Sequence, residues 1–358
     1  MSISQISVVC PINSLGYGIS SYNIWKNLRE YHNISLFPLG SVSIENHWNK
    51  QEIINDIENQ KIYDKKSPCL KIWHANDLIM KPHGSGKYSI YTFFETTQIT
   101  ENERTGYNIA DTIIVPTQWA KNILVDNNIN ADKIIVIPPG VDLSIFNHTL
   151  EINDNDKTDD YVFINIGKWE IRKGHDVLVH MFNQAFEQKD NVRLLMINNN
   201  PFLSEKENQQ WQNLYKNTKL GDKIYIIPRL SSQLDIAKIL AVSSCGIYPA
   251  RAEGWNNEAI ETMAMNKPVL ITNYSAHTEY ANSDNSYLID IKDHEPCEDG
   301  KFFNGVGSWA KLDTSAIEQT IAYMRFVYKN RISTNPKGLE TAQKFSWSNT
   351  AQNISNIL

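Results

Sequence analysis

Cysteine is scarce in this 358-residue chain, and the four that occur, Cys10, Cys69, Cys245 and Cys297, stand far apart. Their spacing fits neither a structural zinc cluster nor a disulfide framework, and it suits the reduced thiols of a cytoplasmic protein. No apolar run approaches the roughly 20 residues of a membrane-spanning helix. The amino-terminal stretch lacks the basic and long apolar regions of a secretory leader, so the expected location is cytoplasmic. A basic stripe is missing as well. With a net charge of -6, the chain lacks the electrostatic footprint of a nucleic-acid-binding protein. No internal repeat recurs at a fixed period, which sets aside solenoids and propellers.

What is present is globular in character, 41% hydrophobic and 21% charged, and long enough for two domains. Apolar strand-like runs over 6–10, 34–37, 70–74, 88–94, 112–115 and 134–137 alternate with helical patterns over 20–30, 51–60 and 118–127. A second series has strands over 161–166, 193–197, 223–227, 245–248, 269–271 and 286–291, again with helices between them. Near-continuous apolar strands separated by helices predict parallel sheets covered on both faces. Helical patterns over 315–328, 336–344 and 347–358 close the chain, and the polar stretch 294–307 reads as a loop. Between the two series, residues 151–160 are charged and aperiodic, which is the character of a linker. Asp154, Asn155 and Asp156 imitate a metal-binding triplet. A calcium loop would need glycine and glutamate where Asp159 and Asn165 stand, so a solvated linker is the better reading.

The residues able to do chemistry gather where strands end. After the first strand, Gly16-Tyr17-Gly18 opens a helix and lets the backbone pass close to a diphosphate. It lacks the third glycine of a dinucleotide fingerprint, which disfavours a dehydrogenase. His74, Asn76 and Asp77 follow one later strand, and Glu95 follows another. In the second series, Lys168 and Lys173 share a strand-to-helix loop, where two cations can meet a diphosphate and take up developing negative charge. Arg229 follows the strand over 223–227.

The most concentrated signal is SCGIYPARAEGWNNEAIETMAMNKPVLIT, residues 244–272. It reads as strand, loop, helix and strand, with Glu253 on the loop and Glu261 one turn inside the helix, seven residues between them. Gly254 admits a close ligand, Asn256 or Asn257 can cap the helix, and Asn266 can take the left-handed turn that ends it. The amino end of such a helix favours anions.

This stretch resembles the Glu, seven residues, Glu motif of the retaining glycosyltransferases of family four. Their common form reads EGFG, then EAMA before Pro-Val. Trp255, Asn256 and Glu258 depart from it here. The loop at Gly167 is similar to the family's Gly-Arg, four residues, Lys-Gly, with Lys168 in place of arginine and Lys173 as the lysine; lysine loses arginine's bidentate fork. Glu95, in Phe94-Glu95-Thr96-Thr97, stands where many members have a His-Asp pair and resembles those that read FETT.

The resemblance implies an α/β architecture of the GT-B type: two Rossmann-like domains facing each other across a cleft, with the last helix crossing back to the first. It implies an acceptor-side domain of residues 1–150 plus 341–358, a linker at 151–160 and a nucleotide-sugar domain at 161–340. The implied catalytic residues are Lys168, Lys173, Glu253 and Glu95. The implied donor-binding set is Gly16, Gly18, Arg229, Gly254, Trp255, Asn256, Asn257 and Glu261. Tyr17, His74, Asn76 and Asp77 are the acceptor-side candidates.

The expected reaction moves a hexose-type sugar, with retention, from a nucleoside diphosphate sugar to a glycan, lipid or other acceptor hydroxyl. No metal or other cofactor is expected, and membrane contact is expected only through the acceptor. With no clear side-chain nucleophile, a front-face mechanism fits better than a two-carboxylate pair. A nucleotide-sugar epimerase of the same fold and a non-catalytic glycosyltransferase-like subunit are the alternatives.

Overall fold

The computed structural model describes residues 4–74, 84–153, 158–228, 230 and 232–358. It divides into two compact units, Met1–Gly140 with Phe345–Leu358, and Val141–Lys344.

The first unit alternates β1 (Ser4–Cys10), α1 (Gly16–Leu28), β2 (His32–Pro38), α2 (Lys50–Glu58), β3 (Cys69–Ile72), β4 (Tyr88–Tyr91), α3 (Glu101–Ile109), β5 (Thr112–Val115), α4 (Gln118–Asp126) and β6 (Ile134–Val136). The strands form one parallel sheet in the order β2-β1-β3-β4-β5-β6. Its buried strand residues, among them Val9, Tyr88, Ile90, Ile113 and Val115, pack against Leu124 of α4 and Tyr107 of α3. Each such apolar side chain contributes about 1.5–3 kcal/mol when fully buried.

Two boundaries differ from expectation for identifiable reasons. Helix α1 begins at Gly16 rather than near residue 20. Glycine is a poor helix former, yet a Cβ at Gly18 would lie 2.2 Å from the carbonyl oxygen of Asn13, so the returning loop demands glycine inside the first turn. Strand β4 stops at Tyr91 rather than at 94. The Phe93 N–H instead donates to the Tyr17 hydroxyl at 2.9 Å.

The second unit contains β7 (Tyr161–Gly167), α5 (His175–Ala185), β8 (Val192–Asn198), α6 (Glu205–Lys216), β9 (Ile224–Ile227), α7 (Gln233–Val242), β10 (Cys245–Tyr248), α8 (Asn257–Ala264), β11 (Val269–Thr272), α9 (His277–Tyr280) and β12 (Tyr287–Ile289). These strands form a parallel sheet in the order β12-β11-β10-β7-β8-β9. Connections run outward from β7 on one side and from β10 on the other, so the topological switch lies between these two neighbours. In open α/β sheets, ligands bind at the carboxyl ends of the strands flanking such a switch. Beneath it the core is aromatic, with Phe163, Trp169, Phe182 and Tyr215 all buried.

The stretch expected as a polar loop is an antiparallel hairpin, β13 (His294–Glu298) with β14 (Asn304–Ala310). One face of this hairpin buries Cys297 and Trp309 against Ala252, on the loop after β10. Arg251 fastens it further, through its Nε to Glu295 at 2.6 Å and its carbonyl to the Ala310 N–H at 3.0 Å. Its strands carry proline, glutamate and glycine, which hide the alternation that a strand shows in sequence.

Helices α10 (Thr314–Lys329) and α11 (Pro336–Ala342) complete the second unit, and α12 (Trp347–Ser355) belongs to the first. A Cβ at Gly140 would lie 2.1 Å from the Trp347 nitrogen, and the Thr350 hydroxyl donates to the Pro138 carbonyl at 2.8 Å. Among the described residues, no helix is long and apolar enough to cross a membrane.

The loops after β7 and β10 meet backbone to backbone: the Arg251 N–H donates to the Arg172 carbonyl at 2.6 Å. Gly174 has φ +73°, and a Cβ there would lie 2.1 Å from the Pro249 carbonyl oxygen. Gly174→Ala is therefore expected to destabilise the second unit by more than about 1 kcal/mol, measured by urea unfolding; an unchanged midpoint would show that the loops separate freely.

Candidate functional site

The switch point places two charged loops side by side. From the loop after β7 come Lys168, Glu170, Arg172 and Lys173; from the loop after β10 comes Glu253, 5% exposed. Lys173 Nζ lies 2.7 Å from one carboxylate oxygen of Glu253, and Arg172 Nη1 lies 2.9 Å from the other. The same guanidinium reaches Glu170 Oε2 through Nε at 3.1 Å and Nη2 at 2.8 Å, and donates to the Ala252 carbonyl at 2.7 Å. Lys168 Nζ closes the chain on Glu170 Oε1 at 2.8 Å. Three cations thus meet these two carboxylates, and Glu258, in the first turn of α8, adds a third carboxylate that acts on Lys173.

These pairings set the ionisation of the site. Burial alone would push the Glu253 carboxyl up, but Arg172 and Lys173 overcome it and hold the pKa at about 2. For Glu170, burial likewise acts upward, and Arg172, Lys168 and Lys173 together bring the value below the ordinary carboxylate range. Burial disfavours the Lys173 ammonium, and Glu253 and Glu258 more than restore it. A buried ion is tolerated only when paired and hydrogen-bonded, so each loop holds the conformation the other requires.

A polar cluster underneath secures the first loop. His175, at the start of α5, accepts the Glu170 N–H on Nδ1 at 3.2 Å and meets Asn165 Oδ1 through Nε2 at 2.9 Å. Asn165 Nδ2 donates to the Ile247 carbonyl on β10 at 2.7 Å, and Asn198 Nδ2 to the Gly167 carbonyl at 3.1 Å. Burial, with Lys173 close by, pushes the His175 pKa down to about 3. The imidazole therefore serves as a neutral strut.

The second loop runs from Glu253 through Gly254, Trp255 and Asn256 into α8. Asn256 adopts φ 71°, ψ 74°, and its side chain caps the helix by accepting the Ala259 N–H. Asn266, at φ 58°, follows the helix's end. Glu261 sits in the second turn, 7% exposed, and Asn257 opens the first turn. The Trp255 ring packs edge-on to Tyr280 at 5.2 Å.

The structure thus gathers Lys168, Lys173, Glu253, Gly254, Trp255, Asn256, Asn257 and Glu261 into one region of the second unit. In the first unit, Gly16, Tyr17 and Gly18 occupy the first turn of α1. The Tyr17 ring lies 4.5 Å from that of His74 and 5.1 Å from that of Phe93, and its hydroxyl donates to the Phe93 carbonyl at 3.0 Å. Glu95 follows two residues later, half-buried. Asn76, Asp77 and Arg229 lie outside the described residues.

Arg172, Glu170, His175, Asn165 and Asn198 were not singled out from sequence. Arg172 and Glu170 shared a short loop with both lysines, and that crowding of charge was the available signal. Among the described residues, no three His, Cys, Asp or Glu side chains gather as a metal site.

Residues 148–300, which contain this site, match the family described as glycosyl transferases group 1, and residues 72–145 match glycosyltransferase family 4. An uncharacterized glycosyltransferase of Methanocaldococcus jannaschii is 30% identical over 172 residues, which are 46% of this chain and 40% of that protein's length. Among solved structures, a glycosyltransferase from Rickettsia africae superposes with a TM-score of 0.72 at 18% identity, over 100% of this chain and 98% of that one. Sucrose-phosphate synthase from Thermosynechococcus elongatus gives 0.73 at 15%, covering 99% and 98%. Anabaena HepE, solved with UDP and glucose, gives 0.72 at 12%, covering 99% of both chains. The fold is GT-B, as the motifs implied.

Glu253 links the site to acid stability. Its folded pKa is depressed from an ordinary 4.5 to about 2, so the unfolded chain binds its proton first. The stabilisation is present above pH 4.5 and is lost as pH falls toward 2. Glu253→Gln should be less stable at neutral pH by about 3–5 kcal/mol, the cost of removing one partner from a buried ion pair. The deficit should shrink as urea midpoints are followed down to pH 3. Parallel pH profiles for parent and variant would contradict the assignment.

Proposed function

We propose that the chain is a retaining glycosyltransferase that moves a hexose-type sugar from a nucleoside diphosphate sugar to a hydroxyl of a glycan, lipid or other acceptor. The observation that carries this reading is the Glu253 carboxylate held between Arg172 and Lys173 at the switch point, in the loop that leads into the amino end of α8. Paired cations beside a helix amino end suit a diphosphate, and the UDP and glucose bound to HepE support the donor class.

In this reading Lys168 and Lys173 neutralise the diphosphate, and the N–H groups at the start of α8 receive the inner phosphate. Glu261 accepts hydrogen bonds from the ribose hydroxyls. Glu253 binds the transferred sugar; a carboxylate offers about four lone-pair directions, so it can accept sugar hydroxyls while both cations stay in place. As the bond from the anomeric carbon to the phosphate oxygen breaks, the acceptor oxygen attacks from the same face. Its proton passes to the departing phosphate, which leaves as the nucleoside diphosphate. Fixed cations beside that phosphate stabilise charge that grows only as the bond breaks.

Incubation with UDP-, GDP- and ADP-sugars tests the assignment. A transferase releases nucleoside diphosphate and glycosylates an acceptor, whereas an epimerase returns an altered but intact nucleotide sugar. Lys173→Ala should lower turnover by roughly two orders of magnitude. Glu261→Gln should weaken nucleoside diphosphate binding by about tenfold, the loss of a hydrogen bond to a charged group. In the fraction of molecules that stays folded, Glu253→Gln should act mainly on turnover. Calorimetric titration of the folded proteins in which Glu253→Gln loses nucleotide affinity and Glu261→Gln keeps it would reverse the two roles.

A further inference from the structure

Behind the loop that carries Glu253 runs the segment 272–280, and four hydrogen bonds join it to residues 253–256. The Glu253 N–H donates to Ser275 Oγ at 2.9 Å, and the Ala276 N–H to the Glu253 carbonyl at 3.3 Å. The Tyr280 hydroxyl donates to the Trp255 carbonyl at 3.2 Å. The fourth joins two side chains, Asn256 Nδ2 and His277 Nε2, at 2.9 Å, with both residues buried.

The atoms around this last pair admit one arrangement of protons. His277 Nδ1 lies 2.9 Å from the Thr272 carbonyl oxygen, a pure acceptor, so Nδ1 carries the hydrogen. The Thr272 hydroxyl lies 3.2 Å away and itself donates to the Ala250 carbonyl at 2.6 Å, so it too can accept. Nε2 is left with a lone pair and must accept. The facing atom of Asn256 is therefore its amide nitrogen, and its amide oxygen turns to the Ala259 N–H, which it caps at 3.3 Å. Flipping either side chain would set donor against donor or acceptor against acceptor.

Asn256 needs such help. Its φ of 71° is a left-handed conformation that side chains other than asparagine and aspartate seldom adopt outside glycine. That conformation aims the first N–H groups of α8, from Asn257 and Glu258. We infer that His277 is a positioning residue that acts through Asn256: as a neutral acceptor it fixes the left-handed cap and thereby the direction of the N–H groups that receive the donor's phosphate. The inference rests on the proposed function for the ligand but not for the geometry. Burial, the dominant influence, together with Lys173 pushes the His277 pKa down to about 4 against the opposing pull of Glu253, which keeps the ring neutral.

Because the histidine acts only through Asn256, its removal should cease to matter once position 256 tolerates the left-handed turn unaided. The experiment is a double-mutant cycle of His277→Leu and Asn256→Gly, read by UDP calorimetry and by amide hydrogen exchange over residues 254–262 without ligand. His277→Leu alone should weaken UDP binding by about tenfold and speed exchange. In the Asn256→Gly background the same substitution should change either readout less than about twofold. His277→Gln, whose carbonyl can accept from Asn256, should restore most of the affinity that leucine loses.

Equal effects of His277→Leu in both backgrounds would overturn the inference, since a general loss of packing would persist. Should the leucine variant not fold, nitrogen-15 imidazole shifts of the parent decide the matter: a hydrogen on Nε2 contradicts the pair, and one on Nδ1 supports it. A parent that binds none of UDP, GDP or ADP would count against the proposed function, while exchange and imidazole shifts still judge His277.

Discussion

The second unit depends on one buried contact, the carboxylate of Glu253 shared between Arg172 and Lys173. Removing three charged groups from water is costly unless each finds a partner of opposite sign. All three come from loops rather than from the sheet, so the sheet alone does not specify their meeting. What brings them together is strand order. β7 and β10 are neighbours although β8 and β9 lie between them in sequence, and their following loops must share one space. Gly174 permits the backbone approach to Pro249, and the ion pairs then make that approach favourable.

Three separate supports hold the same loops from different sides. Asn165, His175 and Asn198 tie the first loop to β7 and β8 by hydrogen bonds between neutral groups. The β13–β14 hairpin buries Trp309 against Ala252, and Arg251 grips Asp176 with two bonds, at 2.7 and 2.8 Å, while holding Glu295. Segment 272–280 backs the second loop through Ser275, His277 and Tyr280. Fixed charges stabilise a developing charge best when they do not have to reorganise, and bracing from several sides limits reorganisation.

The alternating apolar runs made both sheets legible in sequence, because parallel strands covered on two faces have little room for polar residues. Stretch 244–272 was legible too, since the asparagines at its turns mark local backbone needs: Asn256 and Asn266 take positive φ, and Asn256 caps α8. Long-range polar pairing was not legible. Nothing local in Arg172, His175 or His277 says that each will be buried against a residue from another element. The hairpin over 294–310 was hidden because its core rests on two residues, Cys297 and Trp309, too few to show a period. Helices α3 and α6 have mostly polar sequences, yet each begins with a capping box, Thr100 with Glu103 and Ser204 with Glu207, that sequence patterns can reveal.

The arginine at position 172 matters for the proposed diphosphate donor. Lys168 and Lys173 each pair with a buried carboxylate, and an entering diphosphate would compete for both ammonium groups. If each carboxylate had only its lysine, drawing the lysine away would strand a buried charge. Arg172 prevents that, because its planar fork serves Glu170 through Nε and Nη2 and Glu253 through Nη1 at the same time. Both carboxylates therefore keep a cation whichever way the lysines turn. Lys168, with a side chain 34% exposed, has more freedom to turn than Lys173 at 11%. A lysine at 172 would place its single point charge on one carboxylate or the other, leaving the remaining carboxylate dependent on its own lysine alone.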